Sequence, residues 1–328
     1  LASSIKINYY YRPRLFPLKS SLTSRLISLH SHLQHSTGPN AFTLRLPVPS
    51  NLNMPEWRRR LIHYPDKSLC DFLEFGWPVR YSSCSPPVQS TQNHCSARSN
   101  PTVIDQFLSS ECELGAACRP FVTNPLSVDI SISPLQIYYL GEPFSLRLPG
   151  LDALLDIIRQ KGQHCHLFKT DLSRAYHQLR IDPQDYHLLG YQHRDSLYFD
   201  IAPPFGLRSS AMMCQTTTSA VTFMYQNLGY SCTNYIDDFG VAETPTKSAA
   251  AFQALGDLLT LLGLSTSPDK DSPPATSMVF LGVLVDTTDM TVSVTPDAFQ
   301  SYSPAAHDLT IFKKKRDCSE SVFRSTIS

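Results

Sequence analysis

Two adjacent carboxylates, Asp237 and Asp238, give the chain its clearest capacity for chemistry. Apolar and small residues flank them on both sides, and the pattern predicts a tight β-hairpin with the acids at its tip. Paired acids can bind divalent metal ions, and two such ions promote in-line phosphoryl transfer by activating an attacking hydroxyl and stabilising the leaving oxygen. Aspartate is also common in turns without a catalytic role, so an ordinary turn is the alternative.

A third acid, Asp171, ends the segment Cys165–Thr170, which predicts a short and mostly buried strand. An acid at the end of a strand is well placed to offer its oxygens to a hard cation such as Mg²⁺. The alternative is the cap of a following helix, a role that aspartate often fills and that contributes about 1 kcal/mol.

The residues between these acids predict a loop, Ala202–Ser210, that leads into a long helix through Asn227. Gly206 would allow the backbone to approach a ligand closely because it carries no side chain. Arg208 carries a guanidinium group suited to a phosphate or a template strand. A plain loop before a helix start is the alternative for this segment.

Four motifs follow one another along the chain: Phe168–Asp171 with Ala175 and Tyr176, Pro204–Leu207, Tyr235–Asp238, and Phe280–Gly282. Their residue types and order resemble the palm of reverse transcriptases. The resemblance covers roughly residues 140–296, with a looser likeness back to about Pro47. Residues 140–144 and 151–190 look most like those of DIRS-type retrotransposons, whose integrase is a tyrosine recombinase.

The resemblance implies a role for each motif, with a template-primer of RNA or DNA and deoxynucleoside triphosphates as partners. The catalytic residues would be Asp171, Asp237 and Asp238, which together with the peptide carbonyl of Leu172 would bind two Mg²⁺ or Mn²⁺ ions. The nucleotide would be bound by Leu172, Ser173, Arg174, Ala175, Tyr176, Phe205, Gly206, Arg208 and Lys270. The primer grip would consist of Phe280, Leu281 and Gly282.

Several of these assignments have ordinary structural alternatives. The ring of Tyr176, implied to exclude a ribose 2′-hydroxyl, also fits an aromatic core residue. Lys270, implied to lie near the triphosphate, also fits a solvated surface lysine. Phe280–Gly282 also fit a buried strand, and the two readings are compatible.

Length and composition favour a protein with a buried core, no membrane span and no disulfide framework. A chain of 328 residues with 42% hydrophobic and 10% aromatic residues fits two or three structural lobes and can bury a core. No apolar run reaches membrane-spanning length and no signal-peptide pattern occurs, so we expect an intracellular protein, cytoplasmic or nuclear, that is not secreted. The nine cysteines include no Cys-x-x-Cys pair, which favours reduced thiols over disulfides or zinc ligands.

The net charge of zero conceals an uneven distribution of charge. Residues 1–100 hold 12 Lys and Arg against 4 Asp and Glu, whereas residues 101–328 hold 16 against 24. A basic N-terminal part suits contact with phosphate backbones, and an acidic remainder suits metal binding. Plain solvation of surface charges is the alternative.

Hydrophobic periodicity and turn residues predict an α+β fold in which an antiparallel sheet is backed by helices and Asp171 lies beside the Asp237–Asp238 hairpin. The predicted helices are Trp57–Ile62, Ser68–Phe75, Thr102–Glu113, a helix from Leu151 that stops at Gly162, Ser209–Asn227, and one capped by Thr246 and closed by Gly263. The predicted hairpins are His187–Tyr191 with Ser196–Ile201, and Ser277–Val285 with Met290–Val294.

By resemblance, this fold is a reverse transcriptase palm with reduced fingers and a truncated thumb. The implied divisions are a poorly ordered segment 1–46, a fingers-like region 47–139, the palm 140–296 and the start of a thumb 297–328. The basic strand pair that this family folds over the triphosphate is missing near residues 136–139.

The function implied is RNA-directed DNA synthesis by two-metal nucleotidyl transfer to a primer 3′ hydroxyl. We expect this activity to be impaired, because losing cationic groups that clamp a phosphoryl group removes a large electrostatic contribution. The alternative is a catalytically dead retroelement remnant that only binds nucleic acid. A nucleotide cyclase is disfavoured by Tyr176 and by the Phe280–Gly282 hairpin.

Overall fold

The computed structural model describes residues 47–79, 93, 95–99, 101–118, 120–126, 128–132, 148–205 and 207–295. Several predicted features lie outside these residues: the N-terminal segment 1–46, the gap near 136–139, the motif 140–144 and the thumb segment 297–328. Gly206 and the side chain of Arg208 also lie outside them.

Helices precede the strands in the described chain, and the two types of element then alternate. The helices are α1 (Met54–Arg60), α2 (Leu69–Phe75), α3 (Cys95–Ser99), α4 (Pro101–Leu114), α5 (Leu151–Lys161), α6 (Arg208–Gln226) and α7 (Pro245–Leu262). The strands are β1 (His166–Asp171), β2 (Gly190–His193), β3 (Ser196–Phe199), β4 (Cys232–Tyr235), β5 (Asp238–Glu243), β6 (Ser272–Ala275), β7 (Ser277–Phe280), β8 (Val283–Asp286) and β9 (Thr291–Val294). Short 3₁₀ helices span Ala175–Gln178, Pro183–Leu188 and Pro268–Lys270.

A four-stranded antiparallel sheet with the strand order β4-β5-β1-β6 lies at the centre of the fold. Its inner strands β1 and β5 bury the rings of Phe168 and Phe239 completely. The outer strand β6 contains Pro273 and Pro274, which an edge strand tolerates because proline has no N–H to donate to a second neighbour. Consecutive prolines argue against a strand, and this strand was absent from the sequence prediction.

Two helices, α6 and α7, contribute to the same hydrophobic core as the sheet, as predicted. They are joined by a hydrogen bond in which the Tyr225 hydroxyl donates to the Ala251 carbonyl at 2.8 Å. The predicted cap of α7 at Thr246 is wrong, because Thr244 precedes the first helical residue. Pro245 occupies the first turn, where its fixed φ angle is already helical and its missing N–H is not needed.

The N-terminal part of the described chain docks on the end of α7. The Leu262 carbonyl accepts hydrogen bonds from the Trp57 side chain at 2.9 Å and from the Asn53 backbone N–H at 3.0 Å. Gly263 follows with a φ of 79°, in the left-handed region that ends many helices. The carbonyl at the end of α7 therefore anchors the N-terminal part of the described chain through two hydrogen bonds.

The predicted first hairpin is shifted along the chain. Strands β2 and β3 pair Gly190 with Phe199, whereas His187 lies in the 3₁₀ helix Pro183–Leu188. Asp182 caps this helix by accepting the Gln184 N–H at 3.0 Å. Capping and the proline at the first turn therefore outweigh the loose alternation of apolar residues that predicted a strand.

The predicted final hairpin is a three-stranded antiparallel sheet, β7-β8-β9. The chain turns between β7 and β8 at Leu281 and Gly282, whose φ angles are 50° and 77°. Two-residue turns with positive φ angles match the right-handed twist of paired strands. Phe280 packs from this sheet into a second core with Leu154 and Ile158 of α5.

The predicted α+β class, an antiparallel sheet backed by helices, is confirmed. The first helices differ from the predicted ranges by up to three residues, as local patterns seldom determine helix ends. In the part of the chain that the structure describes, none of the helices has the length and apolar character to cross a membrane.

Candidate active site

The three acids singled out in the sequence converge at one end of the central sheet. Asp171 is the last residue of β1 and lies directly opposite Asp238, the first residue of β5. Asp237 is in the preceding turn, and its carbonyl accepts the Leu172 N–H at 3.1 Å. One carboxylate oxygen from each acid lies within 4.8 Å of the other two. Antiparallel pairing therefore brings together acids that are far apart in the sequence.

The turn that carries Asp237 is held by α6. Ile236 has a φ of 53°, an unfavourable value for a β-branched residue that the surrounding structure must stabilise. Its N–H donates to the Gln215 side-chain oxygen at 2.8 Å, and its carbonyl accepts the Thr218 hydroxyl at 2.7 Å. Asn234 donates to that same hydroxyl at 2.8 Å. Both backbone groups of Ile236 are thus fixed by one helix.

Replacing Thr218 with Val tests this support for the turn. Valine keeps the branched shape but leaves the Ile236 carbonyl without its hydroxyl donor, so we expect about 1 to 3 kcal/mol less stability. Activity that depends on Asp237 should fall about tenfold or more, because small displacements of positioned groups are costly. Chemical denaturation and the rate of primer extension measure the two effects.

The matched control is Thr217→Val on the same helix. The Thr217 hydroxyl is buried and bonds the Met213 carbonyl within α6, away from the turn. We expect this variant to keep the parent activity. Equal losses of activity in both variants would show that the hydroxyl at Thr218 has no special role.

Burial and mutual repulsion raise the pKa of two of the acids. Burial, followed by the nearby Asp171 charge, raises the pKa of Asp237 above its usual value. Burial and the charges of Asp237 and Asp171 raise the pKa of Asp238 to about 6. Asp171 itself is only 5% exposed. A divalent cation would offset this repulsion, and three hard carboxylate oxygens fit Mg²⁺ or Mn²⁺.

The raised pKa of Asp238 predicts that protons and divalent cations compete for the site. A carboxylate binds a cation only when ionised, so stabilisation of the chain by Mg²⁺ or Mn²⁺ should be present above about pH 6 and lost as the pH falls through it. In the metal-free chain the sign is opposite. An acid whose folded pKa exceeds its unfolded value stabilises the fold as it becomes protonated.

Thermal unfolding at pH 5 and pH 7.5, with and without the cation, measures this competition. We expect the cation to raise the melting temperature more at pH 7.5. Asp238→Asn provides the control, because its pH dependence between these values should be weaker. An equal shift at both pH values would contradict the prediction.

Lys270 contacts the acids from the segment after α7. Its ammonium nitrogen lies 3.1 Å from a carboxylate oxygen of Asp171, while its side chain remains largely exposed. The same segment contacts the Asp171 backbone, since the Ser267 N–H donates to its carbonyl at 2.8 Å and Asp271 accepts its N–H at 3.4 Å. The structure places Lys270 beside the acids, and its exposure fits the surface alternative as well.

Residues 172–178, here called the β1 loop, contain most of the predicted nucleotide-binding residues. Leu172 and Ala175 are buried, and the Ser173 N–H donates to the Ser265 carbonyl at 3.0 Å. Gln178 donates to the carbonyls of Ser173 and Ser265 at 2.7 and 2.8 Å. These bonds tie the loop to the chain that follows α7.

The aromatic ring of Tyr176 in the β1 loop packs against the ring of Phe205. The rings of Tyr176 and Phe205 have their centroids 5.1 Å apart, and Phe205 is 78% exposed. Burial, together with the nearby groups of Cys214 and Asp237, raises the pKa of Tyr176 to about 12. Tyr176 is half-buried and packs against the core, as its structural alternative requires.

The predicted primer-grip residues form the turn between β7 and β8. Phe280 is buried against the central sheet, where a Cβ atom on Gly240 of β5 would lie 2.9 Å from its ring. Glycine at this position lets the ring pack directly on the catalytic strand. Leu281 and Gly282 complete the turn, so the buried-strand alternative holds for Phe280.

Sequence reasoning missed the residues of α6 that support the turn. Gln215, Thr218 and Thr222 recur at helical spacing and point toward the hairpin, and the Thr222 hydroxyl donates to Asn234 at 3.0 Å. A polar stripe on a mostly buried helix is the signal that could have identified them. Glu111 of α4, which contacts the β1 loop, carried no such signal.

Comparison with known protein families gives one similarity, over the part of the chain that contains the site. A family described as reverse transcriptase (RNA-dependent DNA polymerase) matches residues 130–285. This stretch of the chain is similar to a reverse transcriptase domain, and the matched range includes the three acids, the β1 loop and the predicted primer-grip turn. A comparison with curated proteins gave no match.

Solved reverse transcriptases share the fold of this domain. A foamy viral protease-reverse transcriptase in complex with double-stranded DNA is 15% identical, covers 83% of this chain and gives a TM-score of 0.54. The same type of protein in complex with an RNA/DNA hybrid is 16% identical, covers 94% of this chain and gives a TM-score of 0.54. The chain spans 63% and 42% of the lengths of these two proteins. The likeness shows the reverse transcriptase fold.

Proposed function

We propose that this chain synthesises DNA on an RNA template by two-metal nucleotidyl transfer to a primer 3′ hydroxyl. The observation that carries the proposal is the convergence of Asp171, Asp237 and Asp238 within 4.8 Å, inside the range that matches the reverse transcriptase family. Three buried or half-buried carboxylates at such short range are unfavourable without a cation, which supports a metal-binding role over a structural one.

The metal ligands in this proposal are the three carboxylates and the peptide carbonyl of Leu172. Two Mg²⁺ or Mn²⁺ ions bound there would supply activation of the attacking hydroxyl and stabilisation of the leaving oxygen. The role of the protein is to hold these metal ligands in place. The pairing of β1 with β5 and the hydrogen bonds from α6 to Ile236 perform that task.

The β1 loop and Phe205 form the nucleotide site in this proposal. The Tyr176 ring packs against Phe205 with the centroids 5.1 Å apart, and in this proposal it contacts the sugar and selects against a 2′-hydroxyl. Lys270 would contact the triphosphate when released from Asp171, since its side chain is largely exposed. The remaining members of the proposed site are Leu172, Ser173, Arg174, Ala175, Gly206 and Arg208.

The template-primer would lie along the basic N-terminal part and the turn Phe280–Gly282. Residues 1–100 carry 12 Lys and Arg against 4 Asp and Glu, a balance that favours phosphate backbones. We further propose an origin in a DIRS-type retrotransposon, which rests on the sequence likeness of residues 140–144 and 151–190. The predicted loss of the basic fingers hairpin near 136–139 stays a prediction that the activity assay addresses.

Primer extension tests the proposal. The chain is incubated with a DNA primer on an RNA template, deoxynucleoside triphosphates and Mg²⁺ or Mn²⁺, and the products are separated by length. We expect extension, slower than that of a chain in which a basic hairpin is restored near residue 137. A chain that binds the template-primer but adds no nucleotide with either metal would be the nucleic-acid-binding remnant, and the proposal would fail.

A further inference from the structure

A buried carboxylate from the N-terminal part faces the β1 loop. Glu111 lies near the end of α4 and is only 8% exposed, whereas Glu113 of the same helix is exposed to solvent. A carboxylate withdrawn from water is unfavourable unless it has charged or hydrogen-bonding partners. The partners of Glu111 therefore indicate what the residue does.

Among the described residues, the two side chains that pair with the Glu111 carboxylate both belong to the β1 loop. One carboxylate oxygen lies 3.9 Å from the Arg174 guanidinium, and the other lies 3.4 Å from the Nε2 atom of His177. Arg174 and His177 lie on either side of Ala175 and Tyr176 in the sequence. One side chain from outside the loop thus holds both ends of the segment that carries Tyr176.

The backbone of Arg174 needs such support. Its φ of 47° places a non-glycine residue in the left-handed region, which is unfavourable unless the surroundings stabilise it. The Arg174 side chain is about half exposed, and Glu111 is its ion-pair partner among the described residues. Without Glu111 the residue would lose a contact that favours its strained conformation.

His177 extends the connection to the aromatic rings. Burial lowers the pKa of His177 below its usual value, and its Nε2 atom lies 3.4 Å from the Glu111 carboxylate. The His177 ring meets the Phe205 ring edge-on at 6.3 Å, and Phe205 in turn packs against Tyr176 at 5.1 Å. Glu111 therefore begins a continuous set of side chains that runs through His177 and Phe205 to Tyr176.

We propose that Glu111 is a positioning residue that sets the β1 loop, and through it Tyr176, for nucleotide selection. The inference rests on the proposed function, because it assigns Glu111 a role in that same site. Glu111 contacts neither the three acids nor the metals they would hold. Its loss should change how the nucleotide is bound and discriminated more than how fast a correctly bound nucleotide reacts.

The test compares Glu111→Gln with Glu113→Gln in the full chain. Glutamine keeps the shape of the side chain but removes the charge that pairs with Arg174. We expect KM for the deoxynucleotide to rise and the preference for deoxynucleotides over ribonucleotides to fall about tenfold, with a smaller change in kcat. Glu113→Gln should match the parent, since that side chain bonds only Ser109 of its own helix at 3.3 Å among the described residues.

Hydrogen exchange of the peptide amides in residues 172–178 provides a readout that does not depend on activity. We expect faster exchange in Glu111→Gln that is confined to the β1 loop, and partial restoration of selectivity in Glu111→Asp, which regains the charge. Adding Arg174→Met to Glu111→Gln should speed amide exchange in the β1 loop little further, because both changes remove the same contact.

The possible results distinguish failure of the role proposed for Glu111 from failure of the proposed polymerase function. Parent-like selectivity and exchange in Glu111→Gln, in a chain that extends primers, overturns the inference and leaves the proposed function standing. Faster exchange throughout the chain shows a general loss of stability and also overturns it. A parent chain that extends no primer overturns the proposed function, and the role in nucleotide selection fails with it.

Discussion

Replacing Asp238 with Asn is expected to abolish primer extension, lowering the rate about a thousandfold or more. Asparagine keeps the size of the side chain but removes the charge directly opposite Asp171, so the site loses a third of its negative charge. Stabilisation by bound metal contributes several kcal/mol to phosphoryl transfer, and each 1.36 kcal/mol is a tenfold change in rate. Single-nucleotide addition to a primer on an RNA template, under single-turnover conditions, measures the loss.

Stability separates loss of chemistry from loss of folding in this variant. Removing one of three repelling carboxylates should leave the metal-free chain at least as stable as the parent above pH 6, where Asp238 is charged. Asp257→Asn on α7 is the matched control, because that acid is exposed and accepts a hydrogen bond from Gln253 at 2.8 Å. Retention of more than about a tenth of the parent rate by Asp238→Asn would contradict the assignment.

Replacing Gly263 with Val is expected to give the largest loss of stability, about 3 to 5 kcal/mol. The residue has a φ of 79°, which a β-branched side chain adopts only with strain. A Cβ atom there would also overlap the backbone carbonyl of Asn51. The segment that carries Asn53 and Trp57 would have to leave the end of α7. Chemical denaturation followed by circular dichroism measures the change.

Gly256→Ala is the matched control for this prediction. Gly256 lies within α7, and a Cβ atom there meets nothing within 4 Å. Alanine in a helix interior is favoured over glycine, so this variant should gain about 1 kcal/mol. If Gly263→Val unfolds at the same denaturant concentration as the parent, the docking of the N-terminal part on α7 does not contribute to stability as the structure indicates.

Much of the fold could be predicted because the signals are local. The helical spacing of Leu154 and Ile158 and the stop at Gly162 predicted α5, and the apolar run before Asp171 predicted β1. Errors arose where a second local preference competed with the pattern. His187 alternates like a strand residue but follows a proline and a capping aspartate, and β6 contains two prolines that argue against a strand.

The acids of the candidate site could be predicted from the sequence, whereas the residues that hold them in place could not. Asp171, Asp237 and Asp238 stand in motifs whose residue types and order are informative by themselves. Gln215 and Thr218 matter only because α6 runs beneath the turn at Ile236, a relation that depends on how the helix packs on the sheet. A hydrogen-bond partner of this kind has no fixed spacing from the residue it serves.

Residue types and their spacing by themselves determined which acids could bind metal, that the chain folds as an α+β domain, and which class of enzyme it resembles. Only the tertiary structure decided that Asp171 stands opposite Asp238, that α6 holds the turn at Ile236 and Asp237, and that Glu111 reaches the β1 loop. The reason is physical. Side-chain chemistry and backbone preference act within a few residues, whereas strand register and buried ion pairs form only when distant segments pack against each other.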